Sequence, residues 1–147
     1  MSKQTLRNFT MLGLLLVITA ASVQSQHHRK TFTNIPFDFI VGDKILPAGE
    51  YRLQPNRSDS HTVWLVQSKN CRLSVFFLTR PAQSGEAQET AKLVFHRYGD
   101  QYFLSQIWQI GDKSGRELQQ PHRERELAQS GAARSTIVLR SGLTVND

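Results

Sequence analysis

Short apolar segments that alternate with polar residues recur along the chain, and turn-forming residues separate them. This two-residue period is typical of β-strands, because successive strand side chains point to opposite faces. Phe37–Val41 is followed by Gly42-Asp43 and by Lys44–Leu46, which predicts a hairpin. The same pattern predicts strands at Glu50–Leu53, Thr62–Val66, Cys71–Thr79, Arg116–Leu118 and Thr136–Arg140.

Segments rich in proline, glycine and small polar residues predict the connections between these strands. Three of them are predicted turns: Pro47–Gly49, Pro55–Ser60 and Gln67–Asn70. Arg80–Thr90 contains no large apolar side chain, so it is predicted to be an exposed, mobile connection. We expect the terminal strand to complete the sheet within the molecule rather than pair with another chain.

The densest apolar stretch, Leu93–Trp108, predicts a second hairpin around Gly99-Asp100. A two-residue turn pairs Tyr98 with Gln101, Arg97 with Tyr102, His96 with Phe103, Phe95 with Leu104 and Val94 with Ser105. The predicted core face then carries Leu93, Phe95, Leu104 and Trp108. The opposite face carries Val94, His96, Tyr98, Phe103, Ser105 and Ile107. Near the turn, Arg97 is predicted to lie over the Tyr102 ring as a cation–π contact.

His96, Tyr98 and Phe103 on the opposite face form the candidate ligand-binding surface. Together they offer stacking and hydrogen bonding, which sugars and aromatic ligands use. A purely structural role is the alternative. Two-layer β-proteins need aromatic side chains on their inner faces, and a tyrosine or histidine at the edge of a layer commonly bonds to the backbone.

A short helix is predicted near the C-terminus. Pro121 precedes the helix-forming run His122–Gln129, and Ser130-Gly131 closes it. Leu127 is its only large apolar residue, so we expect it to lie loosely on the surface. The predicted fold is a single all-β domain, a sandwich or flattened barrel of about seven or eight antiparallel strands with one short surface helix.

The N-terminus has the pattern of a secretory signal peptide. Lys3 and Arg7 precede the apolar run Met11–Ala21, and small or polar residues follow. Cleavage after Ala21 or after Ser25 fits the small-residue rule. We prefer Ser25, which gives a signal peptide over residues 1–25 and a β domain over residues 26–147. An uncleaved anchor is the alternative, although the run is shorter than the about 20 residues that a membrane span needs.

The net charge and the cysteine content limit which partners and which disulfide bonds we expect for this protein. The net charge is +6, and removing Lys3 and Arg7 leaves 6 − 2 = +4. Basic residues alternate with acids rather than covering one face, so a nucleic-acid partner is not expected. Cys71 is the only cysteine and forms no intramolecular disulfide. We expect it to be a small buried residue, with an intermolecular disulfide as the alternative.

The sequence contains no recognisable catalytic constellation. Nucleophile-elbow, phosphate-loop and dinucleotide motifs are absent from it. The histidines lack metal-ligand spacing apart from His27-His28, which we interpret as part of a disordered tail at the mature terminus. We therefore expect no catalytic residues, no metal and no cofactor.

Three motifs, Asn34–Tyr51, Leu93–Trp108 and Gly115–Leu118, resemble a group of small exported bacterial proteins of uncharacterised function. The resemblance covers most of the mature chain up to about Ala128 and implies export, but no activity and no functional residues. Within the first motif, Leu46–Tyr51 is similar to the strand beginnings of transthyretin-like and immunoglobulin-like sandwiches. There the tyrosine packs at a corner.

These observations favour an exported, non-enzymatic binding or structural module of the bacterial cell envelope, periplasmic or extracellular. The expected partner is a glycan, lipid or protein of the envelope, and no membrane span is expected after signal cleavage. Two alternatives stay open. A β-barrel carrier of a small apolar ligand requires a closed sheet around a cavity, and a small hydrolase requires a tuned carboxylate or histidine in a cleft.

Overall fold

The computed structural model describes residues 32–57 and 60–141. The predicted signal peptide and His27-His28 lie outside them. The strands are β1 (Thr33–Ile35), β2 (Phe39–Val41), β3 (Lys44–Leu46), β4 (Gly49–Arg57), β5 (Ser60–Ser68), β6 (Ser74–Gln83), β7 (Ala91–Tyr98), β8 (Gln101–Trp108), β9 (Ser114–Leu118) and β10 (Arg134–Ser141). The helix α1 spans His122–Gln129. Across these two ranges, no helix is long and apolar enough to cross a membrane.

The ten strands form one open, mixed sheet in the order β1-β4-β5-β6-β9-β8-β2-β3. Strand β7 pairs with β8, and β10 pairs with β7. The other edge of β8 pairs with two strands. Phe103 pairs with Ile40 of β2, and Gln106-Ile107 pair with β9. The β2–β8 pairing is parallel and the other pairings are antiparallel. The all-β class with one short helix is confirmed, with ten described strands rather than about seven or eight and with one parallel pairing in a sheet predicted to be antiparallel.

Strand β6 joins the two halves of the sheet. Ser74–Leu78 pairs with β5, whereas Thr79–Gln83 pairs with β9. Apolar side chains from both halves meet in a main core, which confirms a layered β architecture. The buried members are Ile35, Phe39, Val41, Leu46, Tyr51, Trp64, Val66, Phe77, Leu93, Phe95, Leu104, Ile107 and Leu118.

Both predicted hairpins are confirmed. In the first, β2 and β3 pair Phe39 with Leu46, and Gly42 in the turn has a φ of +58°. In the second, Gly99 has a φ of +61°, and the four predicted pairs nearest the turn are present. Glycine adopts these left-handed angles without steric cost, as a two-residue hairpin turn requires. The guanidinium carbon of Arg97 lies 5.3 Å from the Tyr102 ring centroid, so the predicted cation–π contact is present.

A β-bulge changes the predicted register further from the Gly99 turn. Val94 pairs with Gln106 rather than with Ser105. The extra residue reverses the faces that follow it. Ile107 therefore lies in the main core, where Trp108 was predicted. The Trp108 ring instead lies against Gly115, where an added Cβ would come within 2.5 Å of it, so glycine is needed there for close packing.

Two predicted connections are wrong in extent, because strands run through their prolines. Strand β4 continues through Pro55 to Arg57, and β6 continues through Pro81 to Gln83. Among the described residues, each proline lies where its strand pairs on one side only, since β1 reaches only Tyr51 of β4 and β5 reaches only Leu78 of β6. A proline at an unpaired edge removes no ladder hydrogen bond. The connection before β7 is therefore limited to residues 84–90.

The predicted burial of Cys71 is wrong. Its side chain is exposed, and β6 begins three residues later, at Ser74. Cys71 has a φ of +58° in the turn after β5, where its N–H donates to the carbonyl of Ser68 at 2.8 Å. Asn70 Oδ1 accepts from the next N–H, that of Arg72, at 3.1 Å. Turn geometry, rather than apolar character, therefore determines the position of this thiol.

Candidate functional site

Helix α1 covers the face of β7 and β8 that carries the candidate binding residues. Tyr98 and Phe103 are 4% and 0% exposed and form a second apolar cluster with Ile40. Leu127 of α1 packs against this cluster from above. The Tyr98 and Phe103 rings meet edge to face, with centroids 5.9 Å apart. The structure therefore brings the two aromatic residues together beneath the helix, and their role in ligand binding stays a prediction.

His96, the third candidate residue, lies at the edge of the same face and bonds to the helix. Its Nδ1 lies 2.6 Å from Oε1 of Glu124. The Glu124 residue is 1% exposed, and Gln120 Nε2 donates to the same oxygen at 3.4 Å. A buried carboxylate needs such donors, because burial removes its hydration. The helix is thus fixed by a buried polar contact, which corrects the prediction that it lies loosely on the surface.

Sequence reasoning missed Glu124 because the helix contains several charged residues of similar type. One signal was present, since Glu124 lies three residues before Leu127 and so shares its helical face. The pair holds the imidazole in one orientation, an arrangement that also serves proton transfer when a substrate reaches the other ring nitrogen. Among the described residues, no group of three or more His, Cys, Asp or Glu side chains could hold a metal ion.

Tyr51 fixes the corner where β3 passes into β4. Tyr51 is 2% exposed, and its hydroxyl donates a hydrogen bond to the carbonyl of Pro47 at 2.7 Å. Asp38 Oδ1 accepts from the N–H of Ala48 at 2.9 Å in the same turn. Burial, and secondly the negative charge of Asp38, raise the pKa of Tyr51 above its ordinary value of 10.0.

Tyr51→Phe should flatten the alkaline end of the stability profile. Well below pH 10.0 the phenol is protonated in both states, so its contribution is constant. Above that pH the unfolded state loses the proton first, so wild-type stability falls as pH rises through the raised folded-state pKa. The variant should lose about 1 kcal/mol at neutral pH, from the missing hydrogen bond. Urea unfolding between about pH 8 and pH 11 measures both effects. Identical slopes in the two proteins would contradict this assignment.

An open groove of about 630 Å³ lies on a different part of the surface. Its walls are three short segments, namely residues 41–44 around the β2–β3 turn, residues 74–78 of β6, and residues 118–122 between β9 and α1, joined by Arg125. Phe76 and Leu78 in its wall are 60% and 57% exposed. Sequence reasoning assigned this stretch only to a strand. The missed signal is the run Phe76-Phe77-Leu78, because one strand face cannot bury all three.

These features define an open β-sheet protein with a helix fixed over one face and a groove, lined by both apolar and charged side chains, beside β6. No family model, curated protein or solved structure matches the chain.

Proposed function

We propose that the protein is an exported, non-enzymatic binding module of the bacterial cell envelope. The observation that carries this proposal is the groove with Phe76 and Leu78 exposed in its wall. Exposed large apolar side chains that lie together on one concave surface often mark an interaction site, whereas apolar side chains scattered singly over a surface do not. A glycan, lipid or protein of the envelope would occupy this groove.

Export is supported by the N-terminal sequence pattern and by the resemblance of the three motifs to small exported bacterial proteins. The protein would then act in the periplasm or outside the cell. A binding role agrees with the absence of a recognisable catalytic motif from the sequence, and with a histidine–carboxylate pair that links helix to sheet.

The carrier alternative has less support than the binding module. A barrel carrier needs a closed sheet around an inward cavity. The described sheet is open, and aromatic rings fill the space between its halves: Phe39 contacts both Tyr51 and Phe95 edge to face, at centroid distances of 5.1 and 5.9 Å.

Site-specific photocrosslinking in the producing cells tests the proposed function. A benzophenone amino acid replaces Phe76 in the full-length chain, and a matched variant carries it at Val138, which is 46% exposed on β10, away from the groove lining. We expect a discrete crosslinked adduct from position 76 and none from position 138. The intact mass of the recovered protein should correspond to a chain that begins at residue 26. A chain retained in the cytoplasm, or equal adducts at both positions, would contradict the proposal.

A further inference from the structure

We propose that the groove binds an extended acidic peptide segment of a partner protein, which adds a strand to the free edge of β6. This inference rests on the proposed function and specifies its partner. Extended peptides commonly bind in this way, with main-chain hydrogen bonds supplying affinity and alternate side chains supplying specificity.

Strand β6 has a free edge beside the groove. Within the described residues, Ser74–Leu78 pairs with β5 alone. On the opposite side, β9 ends at Leu118 beside Thr79, and the chain then diverges towards α1. Residues 74–78 and residues 118–122 both line the groove, which therefore lies beside this part of β6. Main-chain groups along one edge of β6 are therefore open to a partner, and an unpaired edge is a template for another strand.

This edge is long enough for a short peptide and carries exposed apolar side chains. Five strand residues extend over about 16 Å, at about 3.3 Å per residue, so the site accommodates a short extended segment. Phe76 and Leu78 project from the same strand face and pair with Leu65 and Val63 of β5, which are half-buried. An added strand would place its alternate side chains beside Phe76 and Leu78 and cover them.

The groove carries more positive than negative charge. Lys44 and Arg125 line it as cations, and Asp43 is the one acidic side chain among the described residues of the lining. His122 also lines the groove, and its Nδ1 lies 3.3 Å from Oε1 of Glu126. The surplus of positive charge favours an acidic partner. It disfavours a second copy of this chain across the same edge, since both copies would bring Lys44 and Arg125 to the interface. A segment that alternates acidic with apolar residues would pair its acidic side chains with the cations and cover Phe76 and Leu78 with its apolar ones.

Fluorescence anisotropy with four labelled heptapeptides tests the inference on the purified mature chain. The probes are Glu-Val-Glu-Val-Glu-Val-Glu, its lysine counterpart, and two forms of the acidic peptide, each with N-methyl groups on the alternate residues of one edge. We expect the acidic peptide to bind at least tenfold more tightly than the lysine peptide, by about 1.4 kcal/mol. At least one N-methylated form should lose binding, because methylation removes the N–H groups that pair with β6.

Charge reversal in the groove supplies the matched variants. Lys44→Glu combined with Arg125→Glu should weaken the acidic peptide by at least tenfold and strengthen the lysine peptide. Both residues are exposed, so we expect the fold to be retained, which circular dichroism checks. The control is Arg140→Glu, an exposed arginine on β10, which should leave both affinities unchanged. Equal affinity for the acidic and lysine peptides, or binding that all N-methylated forms retain, would overturn the inference.

Two further measurements separate the inference from the proposed function. Binding to phosphatidylglycerol vesicles but not to any peptide would refute the peptide inference, while the proposed binding function would stand. A dimer in analytical ultracentrifugation that Phe76→Ser abolishes would have the same two consequences. The photocrosslink from position 76 persists in either case. Failure of the peptides together with no adduct in cells would refute both proposals.

Discussion

Phe103→Ala is expected to lower the free energy of unfolding by about 4 kcal/mol. The Phe103 side chain is fully buried, and Tyr98, Ile40 and the underside of α1 surround it. Truncation leaves a cavity that this surrounding cluster refills only in part, because strands and helix fix its walls. Urea unfolding followed by far-ultraviolet circular dichroism measures the change.

Phe76→Ala is the matched control, because it removes the same atoms from a phenylalanine that is 60% exposed. We expect it to cost less than about 1 kcal/mol. Comparable losses in the two variants would show that Phe103 is not enclosed as described. A small loss for Phe103→Ala would show that this side chain is more accessible to a ligand than its burial indicates.

Glu124→Ala is expected to lower the free energy of unfolding by about 3 kcal/mol. The carboxylate is buried and lies 2.6 Å from His96, so its removal leaves the imidazole without its partner beneath the helix. Glu124→Gln keeps an amide that forms a hydrogen bond with Nδ1 of His96 in either tautomer of the ring, and we expect it to lose about half as much. Denaturant unfolding at neutral pH measures both variants.

The neighbouring Glu126→Ala is the control for this prediction. Its side chain is 64% exposed and lies 3.3 Å from His122 on the helix surface. Exposed pairs of this kind contribute less than about 0.5 kcal/mol. If Glu124→Ala cost no more than Glu126→Ala, the helix would not depend on the buried carboxylate.

Much of the fold follows from local sequence patterns. The β2–β3 and β7–β8 hairpins are predictable because a glycine-containing turn fixes the register of the residues next to it. The prediction fails where the turn no longer controls the pairing. The bulge near Ser105 exchanges Ile107 and Trp108 between faces, and it lies between the residue of β8 that pairs with β2 and those that pair with β9.

The candidate sites were less predictable, because they depend on contacts between distant segments. The sequence identified His96, Tyr98 and Phe103 as one face, but not the helix that covers them. Glu124 finds its partner 28 residues away, and no local pattern marks that contact. The groove likewise arises from three segments that the topology brings together.

The parallel pairing of β2 with β8 has a consequence for the order of folding. It brings together Ile40 and Phe103, which are 103 − 40 = 63 positions apart. Contacts this distant form after local hairpins, because a long loop must first close. The β2–β3 hairpin forms one wall of the groove and would therefore dock late. A chain in which this hairpin has not yet docked lacks that wall. The proposed binding of a partner would therefore require that the chain has finished folding.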